Sequence, residues 1–256
     1  MSHHKALEML GRSGNPSLNE ATFTSASYGQ DRGMTLQGTV NKTGILLALL
    51  VLAAVFPWNL YFQSGNPALV MPLALGGAIG GFIFALVTTF KKTWAAITAP
   101  IYALLQGLFL GSVSALFEAQ YPGIVIQATG LTFGTLASLL MLYKLGIIKP
   151  TENFKLMIVS ATMGIGVLYF ISFIMNMIGS TGIGFIHSNG IFGIGFSLFV
   201  VAIAALNLVL DFDFIEQGSE QGAPKYMEWY GAFSLMVTLV WLYLEILRLL
   251  AKLRSR

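Results

Sequence analysis

The sequence predicts an all-α membrane protein, a bundle of seven transmembrane helices, on three observations. Hydrophobic residues make up 55% of the chain and charged residues only 10%, against about 25% charged in an ordinary globular domain. Uncharged apolar stretches of membrane-crossing length follow one another from Gly44 onward. The links between them are short and polar. A soluble fold of 256 residues has no means of covering its surface with so few charges, whereas lipid suits that composition.

Residues 1–43 are polar and rich in Ser, Gly, Asn and Thr, and read as a flexible arm; residues 44–256 form the transmembrane domain. The stretch Thr39-Val40-Asn41-Lys42-Thr43 offers capping side chains and a cation just ahead of the first apolar run. The runs are Gly44–Phe62, Ala68–Phe90, Trp94–Phe117, Ile124–Tyr143, Leu156–Ile178, Ile191–Leu210 and Trp229–Leu244. A spanning helix needs roughly 20 residues at about 1.5 Å each. The seventh run meets that length only by continuing through Glu245 and Arg248 to about Ala251. Short links make sequential helices antiparallel neighbours. The runs do not alternate apolar with polar, which speaks against a β-barrel.

Lys42, Lys91, Lys92, Lys144, Lys149, Lys155 and Lys225 fall on one side of this topology, and the opposite loops hold no Lys or Arg. The N-terminus is therefore expected in the cytoplasm. Seven spans leave Lys252, Arg254 and Arg256 on the other side, against that rule, and a re-entrant last segment is the alternative. The net charge of +3 is spread over helix-flanking segments and does not point to nucleic acid. The absence of cysteine excludes disulfides, thiol catalysis and Cys-based zinc sites.

Gly76, Gly77, Gly80 and Gly81 in the second helix, and Gly107 and Gly111 in the third, read as faces for close helix packing. Gly164, Gly166, Gly193 and Gly195 take the same reading. Pro57, Pro72 and Pro100 are candidate helix breaks. Gln106 and Asn176 read as buried amides between helices, and His187 as a surface residue of an outer loop. His3 and His4 are tail residues.

Ionisable groups at membrane depth are costly, and each is a candidate for function. The sixth helix closes on Asn207-Leu208-Val209-Leu210-Asp211-Phe212-Asp213-Phe214. Its two acids sit at a helix C-terminus, which disfavours negative charge, beside aromatic rings that lower the local polarity. Two such carboxyls close together can share a proton, or offer hard oxygens to calcium. Asn207 lies one turn before Asp211 and is placed to support it. On the seventh helix Glu245 and Arg248 share a face, as an ion pair or as part of a cation path. Glu228, where that helix begins, is a further candidate acid. No retinal-type lysine lies within the runs, and no metalloprotease, phosphate-loop or hydrolase motif occurs, so no enzyme is expected.

Four motifs in order resemble the Bax inhibitor-1 family, in its bacterial branch. They are Gly38-Thr39-Val40-Asn41-Lys42-Thr43, Tyr102-Ala103-x-x-Gln106-Gly107-x-x-Leu110-Gly111, Leu210-Asp211-Phe212-Asp213-x-Ile215 and Leu242-Tyr243-Leu244-Glu245-Ile246-Leu247. The resemblance covers about Thr35 to Leu253. It implies a Bax inhibitor-1-like seven-helix fold and a pH-sensitive calcium leak, set by a pair of acids on helices six and seven with a basic residue near the end of helix two. Asp211, with Asp213 behind it, takes the first acidic role, Glu245 the second, and Lys91 or Lys92 the basic one. The interval from Asp211 to Glu245 is about ten residues longer than that pattern, which leaves Glu228 as the alternative partner.

The expected function is thus a calcium or other cation leak of a bacterial inner membrane, with no cofactor beyond a permeant or bound calcium ion. A non-transporting regulator that binds another membrane protein, such as a quality-control protease, is the alternative. A secondary transporter would call for inverted repeats and interrupted helices.

Overall fold

The computed structural model describes residues 33–178, 183–184 and 188–255. The first 32 residues, with His3 and His4, and His187 lie outside the described residues. Seven described helices are long and apolar enough to cross a membrane, and no strand is present among the described residues. They are α1 (Leu36–Ser64), α2 (Pro67–Phe90), α3 (Ala95–Gln120), α4 (Ile124–Lys144), α5 (Glu152–Met177), α6 (Ile191–Glu220) and α7 (Met227–Arg254).

Local chemistry sets the ends. Thr35 caps α1, its hydroxyl accepting from Gly38 N at 3.0 Å. The helix therefore starts at Leu36, eight residues before the first apolar run, and the capping side chain is not among Thr39–Thr43. Gly65, at φ 62°, closes α1 in the left-handed conformation. Asn66 caps α2 ahead of Pro67 in its first turn, and Thr151 caps α5. Pro57, Pro72 and Pro100 do not interrupt α1, α2 or α3. The last helix runs unbroken through Glu245 and Arg248 to Arg254, so the seventh segment has full spanning length.

By packing, the described residues form two units. The first comprises residues 33–125 and Ile215–Val237, the second Ile126–Phe214 and residues 238–255. In the first unit α3 lies between α1 and α2. A Cβ on Gly107 or Gly111 of α3 would strike the backbone of α1 at Leu50 and at Ala54. A Cβ on Gly77 of α2 would stand 2.6 Å from Leu105 O, and one on Gly81 2.7 Å from Gln106 Nε2. Missing side chains let these backbones meet, as dispersion-driven packing in lipid requires. The same reading does not hold for Gly76, Gly164, Gly166 and Gly195, where an added Cβ meets nothing within 4 Å. Nor is Asn176 buried: it stands exposed on α5.

The core of the second unit joins α5 and α6 through Ile158, Val159, Ile165, Val200, Ile203 and Leu210, with Trp241 of α7 against it. That core sets the register in which polar side chains of the three helices meet.

Candidate functional site

Polar residues recur every seven positions inside two of the membrane-spanning helices. On α5 they are Lys155, Thr162 and Tyr169; on α7 they are Thr238, Glu245 and Lys252. A spacing of seven is two turns, about 10 Å along one helix face. In the second unit Lys155, Thr162 and Lys252 meet Asp213, Asn207 and Ser197 of α6, while Tyr169 meets Glu245.

The contacts form a file of rungs. Lys155 Nζ reaches Asp213 Oδ2 at 2.8 Å, with Glu152 3.8 Å from the same ammonium. Asn207 Nδ2 donates to Thr162 Oγ1 at 2.8 Å and to Ile203 O of its own helix at 2.9 Å. Tyr169 Oη donates to both oxygens of Glu245, at 3.1 and 3.2 Å. Arg248 Nη1 donates to the same two oxygens at 2.7 and 2.9 Å and to Tyr169 Oη at 3.0 Å. Lys252 Nζ donates to Ser197 Oγ at 2.8 Å and to Gly193 O at 3.1 Å. From Lys155 to Tyr169 the file climbs about 21 Å along α5, much of a hydrocarbon layer about 30 Å thick.

Burial makes these contacts consequential. Asp211 is 0% exposed, Glu245 2%, Lys155 3% and Lys252 6%. Phe212 and Phe214, on either side of Asp213, are buried as well. A charge so enclosed persists only with partners.

Glu245 and Arg248 do meet, as their spacing suggested. Tyr169, which holds the same carboxylate, carries no local signal beyond its place in the seven-residue repeat. Asp213 takes Lys155, which the sequence marked only for its side of the membrane. The partners of these two acids, Lys155 and Tyr169, stand about 21 Å apart along α5. Asn207 gives its amide hydrogens to Thr162 and Ile203, not to Asp211. Among the described residues no three His, Asp or Glu side chains gather to hold a metal. Two acids alone fall short of the six to eight oxygens calcium takes.

Glu228 and the two lysines expected near the acids belong to the first unit. The Glu228 carboxylate is fully buried and accepts from Lys42 Nζ, from Lys225 Nζ at 2.6 Å, and from Thr35 N at 2.9 Å and Thr35 Oγ1 at 2.7 Å. Gly38 is packed so closely on this carboxylate that a Cβ there would overlap it. The Gly38–Thr43 motif is therefore the wall and the cation of a clasp that fastens α1 to α7. Lys42 also lies 5.5 Å from the Trp229 ring, Lys91 5.7 Å from Trp94 and Lys92 5.8 Å from Tyr230.

Comparison with curated proteins returns no match, and comparison with solved structures returns none. A sequence model described as Bax inhibitor 1 like matches residues 15–255, nearly the whole chain, including all four motifs and every helix of both units. The chain belongs to the Bax inhibitor 1 like family of integral, multi-pass membrane proteins.

Proposed function

We propose that the second unit is a cation leak pathway, with calcium as the permeant ion, gated by Asp211 and Asp213, which lie two turns inside the C-terminal end of α6. The observation that carries this reading is the pair of buried Lys155 with half-buried Asp213 at the end of a file of polar contacts. Ionised Asp213 holds the Lys155 ammonium at the mouth of the file, where it repels passing cations. Protonation of Asp213 cancels that attraction. The flexible lysine stem then carries its charge out to water, and the file opens. Asp211 and Asp213 lend oxygens to the ion in transit rather than to a resident metal. The reading takes this end to face the cytoplasm, because lysines concentrate on the cytoplasmic side of membrane proteins. The reading needs no enzymatic step and no cofactor.

Calcium entry into liposomes carrying the purified chain tests it. Flux is expected to rise on acidification, and Lys155→Met is expected to conduct at neutral pH. Flux that is the same at every pH, and unchanged by Asp211→Asn with Asp213→Asn, sinks the proposal. The rival reading, a regulator that binds another membrane protein, finds Gly77 and Gly81 of α2 and Gly107 and Gly111 of α3 already filled within this chain, with only Gly76 of the two faces open.

A further inference from the structure

The opposite end of the file is closed by a cation of its own. Lys252 stands in the last two turns of α7, yet it is 6% exposed. Its ammonium is held between Ser197 Oγ at 2.8 Å and the Gly193 carbonyl oxygen at 3.1 Å, both in the first turns of α6. Ser197 is 1% exposed. Lys252 shares the α7 face of Glu245, two turns before it, and Arg248, one turn before it. Exposed Arg254 turns away to Gln127 at 2.8 Å.

These contacts are neutral oxygens, one a backbone carbonyl, gathered around a buried monovalent cation. Pore proteins use carbonyl and hydroxyl oxygens of this kind to replace the water of a monovalent ion. Charge leads to the same class of ion. Glu245, Arg248 and Lys252 together carry +1, and without Lys252 the cluster is neutral. One monovalent ion restores the charge of +1 that Lys252 supplies, whereas a divalent ion exceeds it. Calcium would also find no unshared carboxylate, since Glu245 already holds Arg248 and Tyr169.

We propose that Lys252 is a tethered ammonium seated in a monovalent-cation site formed by Gly193 and Ser197, and that it keeps mobile ions from this end of the file. The proposal goes beyond the leak reading and borrows from it only the file as a route. A lysine that merely pinned α7 to α6 would leave no cation dependence behind when removed.

Lys252→Met keeps the length of the side chain and removes its charge. The test is the thermal unfolding midpoint of the full chain in detergent, in potassium, thallium(I), calcium and choline chlorides at matched ionic strength. The native chain is expected to unfold at the same temperature in potassium and in choline. Lys252→Met is expected to unfold earlier in choline and to recover, saturably, in potassium or thallium but not in calcium. Adding Ser197→Ala to it is expected to weaken potassium binding roughly fivefold, the worth of one polar contact. If Lys252→Met is not monodisperse, Lys252→Ala is assayed with propylammonium, which supplies the three carbons and the nitrogen that alanine lacks. No cation-specific stabilisation in the variant assayed overturns the proposal. Flux on the same preparations separates the two readings. Stabilisation by potassium without any flux removes the leak and leaves this site standing. Equal flux in native and variant chains, with no stabilisation, removes this site and leaves the leak.

Discussion

Glu228 and Glu245 stand on one helix, 17 positions and about 25 Å apart, and each carboxylate is closed by cations of its own. Glu228 takes Lys42 and Lys225, and Glu245 takes Arg248. Distance and separate partners make the two independent. The stability losses of Glu228→Gln and Glu245→Gln are expected to add in the double variant to within about 0.5 kcal/mol. Unfolding of the four chains in one detergent checks this, and strong coupling contradicts it.

The clasp on Glu228 holds the start of α1. With Glu228→Gln, amide exchange across residues 36–43 is expected to quicken while α3 keeps its protection. The cost is expected to be about 1–3 kcal/mol, less than for a pair buried on both sides, because Lys42 and Lys225 both keep access to water. Hydrogen exchange resolved by peptide reads both parts.

Tyr169 and Arg248 hold the same carboxylate by different means. Tyr169→Phe removes a neutral donor and is expected to cost about 1 kcal/mol. Arg248→Met leaves Glu245 buried with no cation and, because Arg248 itself keeps access to water, is expected to cost about 2–3 kcal/mol, less than for a pair buried on both sides. The order of the two unfolding midpoints decides the matter, and a reversed order shows that the ion pair adds nothing here.

Glycines of this chain fall into two classes that one substitution separates. Gly107→Ala and Gly111→Ala drive a methyl group into the α1 backbone, at an expected cost of about 1–3 kcal/mol or more. Gly164→Ala and Gly166→Ala meet nothing and are expected to stabilise α5 by up to about 1 kcal/mol. Thermal unfolding of the four variants in detergent measures the contrast.

The spans were legible because hydrocarbon imposes length and apolarity on each segment separately, with no knowledge of its neighbours. Where structure depends on neighbours, sequence reading failed in instructive ways. Leu36-Gln37-Gly38-Thr39 reads as polar arm, yet it is helix because Thr35 finds Glu228 193 positions away. The helix of α6 runs ten residues past Leu210, since a helix is not obliged to stop where apolarity does. Gly77 and Gly164 look alike in sequence, and only the helix beside them tells them apart. At the site, the Glu245–Arg248 pair was legible because three positions on a helix is a local relationship. Lys155 with Asp213, and Tyr169 with Glu245, depend on how α5 registers against α6 and α7. The repeat of seven polar positions on α5 was the sign available for both.

The fastening of Lys42 to Glu228 also sets an order of events during synthesis. The two residues are 186 positions apart. At about 5–20 residues per second, the lysine waits roughly 10–40 s for its carboxylate to emerge from the ribosome. Until then the leading end of the first helix has nothing to hold it. The start of α1 therefore reaches its final place only after the first turn of α7 has been made, and a nascent chain cut short before Glu228 leaves that helix end open to quality-control proteases.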